Sequence, residues 1–180
     1  MDPLIQYSLP VRGLRVGAHR FDFQVDKAFF SQFEDSPVQE GAVNVTLTLD
    51  KRPDMLLLEF DFAGTVKTDC DRCLAPINLP VKDTQHLIVK FSETEEAEDA
   101  DVIYVQPDIQ QLHVAKYVYE YIILSMPIIR VYNCEDEAVR PCNQEMLRYL
   151  QNGNDEAEPE TTTESNPIWE ELKKLNKNDN

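Results

Sequence analysis

Two stretches of this chain, VNVTLTL (43–49) and MLLLEFDFAGTVKTDC (55–70), alternate apolar and polar residues with a period of two. That period belongs to a strand with one buried face, because successive side chains of an extended chain point to opposite sides. Val43, Val45, Leu47 and Leu49 fall on one face. Leu56, Leu58, Phe60, Phe62, Gly64, Val66 and Cys70 share the even face of the second stretch. Asp50-Lys51-Arg52-Pro53-Asp54 between them reads as a turn. A return strand follows, with Ile77, Leu79, Val81, Leu87, Val89 and Phe91 on its odd face, so CDRCLAP lies at a hairpin tip. RFDFQVD (Phe21, Phe23, Val25) and the short VIYVQP add further strands. The spacing is that of an antiparallel meander, with no strand–helix–strand rhythm.

Helical signals are fewer. Asp26 is placed to cap a short helix in KAFFSQF, ending near Ser36 and Pro37. Asp108, with Gln111 three residues on, has the form of a capping box opening the main helix. Ile109, Leu112, Ala115, Tyr119, Ile122 and Ile123 would line its apolar side, and it must end before Pro127. MPIIRVYNC reads as extended, and 145–150 as a further helical turn. SETEEAEDAD (92–101) and QNGNDEAEPETTTESN (151–166) are acidic and hold no apolar period. In NPIWEELKKL, Asn166 caps, Pro167 suits the first helical position, and Ile168, Leu172 and Leu175 repeat at four and three. The fold class expected is α+β: a predominantly antiparallel sheet with a CxxC hairpin, one main packed helix and a short tethered C-terminal helix. Residues 1–150 form the domain, 151–166 an acidic disordered linker and 167–176 the terminal helix.

The 180 residues suffice for one core without a covalent staple. The longest apolar run is far shorter than a membrane span. MDPLIQYSLPVRG lacks the basic and then apolar blocks of a secretory leader, so a cytoplasmic location is expected, where thiols stay reduced. The net charge of −16 disfavours a general nucleic-acid binder, whose affinity comes largely from Lys and Arg on phosphates. VRGLRVGAHR is locally basic, which makes Arg12, Arg15 and Arg20 candidate phosphate contacts. The acidic runs 93–101 and 155–164 suit a basic partner.

The cysteines admit more than one reading. A thioredoxin-type CxxC opens a helix, whereas Cys70 and Cys73 tip a hairpin with acidic neighbours Asp69 and Asp71, which disfavour a thiolate although Arg72 partly offsets them. Cys70, Cys73, Cys134 and Cys142 are candidate zinc ligands, provided the segment after the main helix folds back over the hairpin. Buried thiols without metal are the other reading. No GxGxxG, GxxxxGK[ST], HExxH or GxSxG occurs, and His19, His86 and His113 are scattered. Nothing in the sequence has the form of an active site.

Taken in order, CDRCLAPI, a helix running into YIILSMPIIRVYNC, and a terminal NPIWEELKKL resemble the large ribosomal RNA subunit accumulation protein family, often called YceD. Cys70, Arg72 and Cys73 match its CxRC turn. Asp108, Ile109, Glu120, Leu124 and Pro127 match its acidic helix, Cys134 its later cysteine, and Asn166, Pro167 and Leu172 its tail. NCEDEAVRPCNQ departs from the second CxxC and glycine that many members carry. The resemblance implies a bacterial, cytoplasmic, non-enzymatic ribosome biogenesis factor supporting accumulation or processing of large-subunit ribosomal RNA. Metal and nucleic-acid binding have been suggested for that family. The partner expected is a large-subunit rRNA precursor or a basic ribosomal protein, with Trp169 and Leu172 anchoring the tail, and with neither membrane nor small-molecule substrate. The alternative is a cysteine-centred metal-binding or redox protein, with zinc as its cofactor.

Overall fold

The computed structural model of the protein describes residues 4–93, 101–131 and 142–155, the last five by backbone alone. In chain order the strands are β1 (Ser8–Leu9), β2 (Gly17–Val25), β3 (Glu40–Lys51), β4 (Met55–Asp69), β5 (Pro76–Phe91), β6 (Val102–Val105) and β7 (Leu112–His113). The helices are α1 (Lys27–Phe30), α2 (Ala115–Leu124) and α3 (Gln144–Asp155). β2, β3, β4 and β5 run as an antiparallel meander, and β6 joins the far edge parallel to β5.

One-sided burial explains the meander. Leu49 stands opposite Leu58, which stands opposite Leu87, and all three are buried. Leu47 and Phe60 form the adjacent row, Val45 and Phe62 the next. Each such side chain contributes about 1.5–3 kcal/mol relative to an exposed one. The opposite face is polar and wet: Thr84 Oγ1 donates to Asp61 at 2.6 Å and Thr46 Oγ1 to Asp22 at 2.8 Å. A slip of one residue would exchange the two faces, so the register is strongly fixed.

β6 departs from the meander pattern. Its pairing covers only Ile88↔Val102 to Phe91↔Val105, at the end of β5, so a short connection can bring the chain back in parallel. Alternation of residue types carries no information about strand direction, which is why the parallel edge was not foreseen.

Two elements lie across the buried face. Asp26 caps α1 as expected, accepting the Phe29 N–H at 3.2 Å, and Phe29 and Phe30 are buried beneath it. The second is α2, where the structure corrects the sequence reading. The helix begins at Ala115, not after Asp108, and its N-cap Val114 offers no side-chain cap. Leu112 is instead drawn into β7 opposite Leu9 of β1, and the Val114 N–H donates to the Tyr7 carbonyl at 2.9 Å. Tertiary pairing overrides the local capping signal, and Asp108 is left exposed in a turn. The buried side of α2 is Ala115, Val118, Tyr121 and Ile122. The Tyr121 ring meets Phe60 edge-on at 5.3 Å, and Tyr119 stacks on Phe33 at 3.9 Å.

The chain divides into two units, Met1–Gln144 and Glu145–Asn180. α3 starts at their boundary and extends to Asp155, through the first residues of the segment read as linker. Glu145 in its first turn suits the positive end of the helix dipole. Most of the acidic loop, the rest of the linker and the terminal amphipathic segment lie outside the described residues. Among those described, no helix is long and apolar enough to cross a membrane.

Candidate functional site

β4 and β5 close at Asp69↔Pro76, leaving residues 70–75 as the turn. The Cys70 N–H donates to the Ala75 carbonyl at 2.9 Å, and the Leu74 N–H donates back to the Cys70 carbonyl at 2.8 Å. The buried face of β4 passes through Val66 and Thr68 and continues in Cys70; Ala75 at the end of the turn is buried too, and the buried face of β5 begins with Ile77. Cys70 and Cys73 are each only 3% exposed. The even-face alternation therefore places Cys70 inside, as expected. Leu74, next in the chain, takes a φ of 56°, in the left-handed region.

Cys70 and Cys73 fit two positions of a tetrahedral zinc site: two buried sulfurs at C-x-x-C spacing on one turn. Cys142 is half-buried, Cys134 lies outside the described residues, and no cluster of three metal-ligating side chains occurs among those described. After Cys73 the chain enters β5 rather than a helix, so the helix-opening context of a thioredoxin-type pair is not the one found here.

The turn is tied to the segment that follows α2. Arg130 donates through its backbone N–H to Asp71 Oδ2 at 2.7 Å and through Nη2 to Asp71 Oδ1 at 2.8 Å. The Asp71 N–H donates to the Arg130 carbonyl at 2.9 Å, and Arg130 Nη1 donates to Thr68 Oγ1 at 3.2 Å. The Arg130 backbone N–H, and then its guanidinium, hold the Asp71 carboxyl below its usual 3.8. The segment after the main helix thus reaches the hairpin turn at Arg130. Sequence reasoning weighed Asp71 only against the thiols and passed over Arg130. The one cue was a lone cation within the apolar run PIIRV.

The three candidate phosphate contacts are all exposed but serve different places. Arg20 stands on the outer face of β2, paired with Asp22 at 3.0 Å and donating to Thr46 Oγ1 at 3.3 Å. Arg15 offers its carbonyl to His19 Nε2 at 2.8 Å. Arg12 lines a cleft of about 460 Å³ with Lys51, Arg52, Phe91, Asp108 and Ile109. Within it Lys51 donates to the carbonyls of Val11 (2.8 Å) and Leu14 (2.9 Å), while Arg52 pairs with Asp50 at 3.1 Å. Lys51 and Arg52 had been read only as turn residues. Trp169 and Leu172 lie outside the described residues. His113 bonds Ser8 at 2.7 Å and His86 lies 3.7 Å from Glu59, both at the surface.

A family model described as "Large ribosomal RNA subunit accumulation protein YceD" matches residues 58–176, a range that opens in β4 and takes in the cysteine turn, α2 and the tail. No curated protein and no solved structure matches the chain.

Proposed function

This chain belongs to the large ribosomal RNA subunit accumulation protein YceD family, and we propose that it acts without catalysis as a cytoplasmic assembly factor for the large ribosomal subunit, docking on precursor particles through a basic ribosomal protein. The observation that carries this reading is the family match itself, which spans the cysteine turn, the segment pinned to it and α2. The net charge of −16 supports a cationic protein partner over direct coating of RNA, because like charges repel along a phosphate backbone. Such a field speeds encounter with a basic surface and weakens as salt rises.

Removing the protein from cells that make it tests the reading. Large-subunit rRNA should fall relative to small-subunit rRNA and recover when the chain is resupplied. An unchanged ratio would refute an assembly role.

A further inference from the structure

Several large apolar side chains in the cysteine turn and in the segment fastened to it are exposed, where the fold gains nothing from them. Leu74 is 58% exposed, and Ile128 and Ile129 are 100% and 71% exposed. Leu124 at the end of α2 and Val131 are exposed as well. Exposed apolar residues scattered singly need no explanation, but Leu74 lies in the turn that Arg130 fastens, and Ile128, Ile129 and Val131 flank Arg130 in the chain.

Two features set this group apart. Leu74 holds its φ of 56° in a region that L side chains disfavour and that glycine enters freely. A strained conformation is kept there for a side chain that points to solvent. In addition, Ile128 and Ile129 precede Arg130, whose backbone and guanidinium are fastened to Asp71 in the same turn as Leu74. The isoleucines are therefore presented on a fixed backbone, so a partner need not order them on binding.

We propose that Leu74, Ile128 and Ile129 form the docking surface for a basic polypeptide segment that inserts an apolar side chain between them. This rests on the assembly-factor reading and names the part of the molecule that would carry it. Charge selects the occupant. Asp71 is neutralised by Arg130, so the tie beside the patch adds little net charge. The chain as a whole carries −16, which opposes a second copy of itself and attracts a cationic protein.

The test uses the full chain and two variants, Leu74→Gly and the pair Ile128→Ser/Ile129→Ser. The probes are the total protein of purified large subunits freed of RNA, the RNA of the same particles, and the chain itself in sedimentation equilibrium. The wild type should bind the protein fraction, and both variants should bind it about tenfold more weakly. Their thermal midpoints should not fall, because glycine relaxes the turn and the isoleucines are exposed. Variants that bind the protein fraction as tightly as the wild type overturn the surface but leave the assembly role standing. Binding to RNA alone overturns the occupant, as does self-association that the variants abolish. A wild type that binds neither protein nor RNA overturns the surface and the assembly reading together.

Discussion

Gly64 is the position at which adding one methyl group should cost most. It sits in β4 opposite Val43 of β3 and Val81 of β5, both buried. A Cβ built there would come 2.1 Å from the Ala42 carbonyl oxygen and 2.6 Å from the Val43 α-carbon. Ordinary contact begins near 3.4 Å, so the strands would have to separate by more than an ångström. The obstructing atoms are backbone within a paired ladder, which cannot swing aside as a side-chain tip would. Overpacking a core costs about 1–3 kcal/mol, and the backbone clash puts Gly64→Ala at the upper end, near 3 kcal/mol. For a chain of this length that is a fall in Tm of about 6–12 °C. Gly13→Ala is the control, since nothing lies within 4 Å of a Cβ there. Urea titrations followed by far-UV circular dichroism would read both variants against the wild type. A Gly64→Ala protein within about 1 kcal/mol of the wild type, on the same scale, would refute the close-approach argument.

Stability should also decline in alkali. Burial, with Asp26 adding to it at Tyr7 and Asp101 at Tyr121, pushes both hydroxyls up from 10.0 to about 12. A raised folded-state value means the protonated form is favoured by folding. The contribution is complete below pH 10 and disappears as pH rises through 12. Tyr7→Phe and Tyr121→Phe together should flatten the fall in urea midpoint over that window, and a profile identical to the wild type would contradict the assignment. The Asp71–Arg130 tie behaves in the opposite sense. Its carboxyl titrates below 3.8, so the tie holds above that pH and opens as pH falls through the lowered value. Asp71→Asn should speed amide hydrogen exchange at Arg130 while leaving Leu58 protected. Unchanged exchange at Arg130 would show that the segment is held by something else.

The sheet was legible in the sequence because burial there is one-sided and period two has a single structural meaning. Leu47, Leu58, Phe60 and Val89 could be assigned to one face without knowing what covers them. Contacts distant in sequence were less visible. The Asp108 and Gln111 pair carried a sound local signal for a helix start, yet the pairing of Leu112 with Leu9 prevailed. With the start displaced, Val118 and Tyr121 were buried in place of Tyr119 and Ile123, which are only half-buried. Cys70 was placed inside by the strand's own rhythm. The fastening of its turn to Arg130 was not legible, because a charge pair separated by 59 positions leaves no local pattern. The cleft beside Arg12 escaped for the same reason, since it joins residues from well-separated parts of the chain.

The pairing of β1 with β7 has a consequence for the time course of biosynthesis. Tyr7, Leu9 and Val11 belong to the core, yet Leu9 cannot find Leu112 until the chain has been extended by about a hundred further residues. At roughly 5–20 residues per second, that is about 5–20 s during which the amino-terminal segment waits for its β7 partner at the translating ribosome. The meander from β2 to β5 can form meanwhile, since its strands emerge one after another and its contacts are between neighbours. The clasp between the amino-terminal segment and the entrance to α2 therefore closes after the meander, across a loop of about a hundred residues.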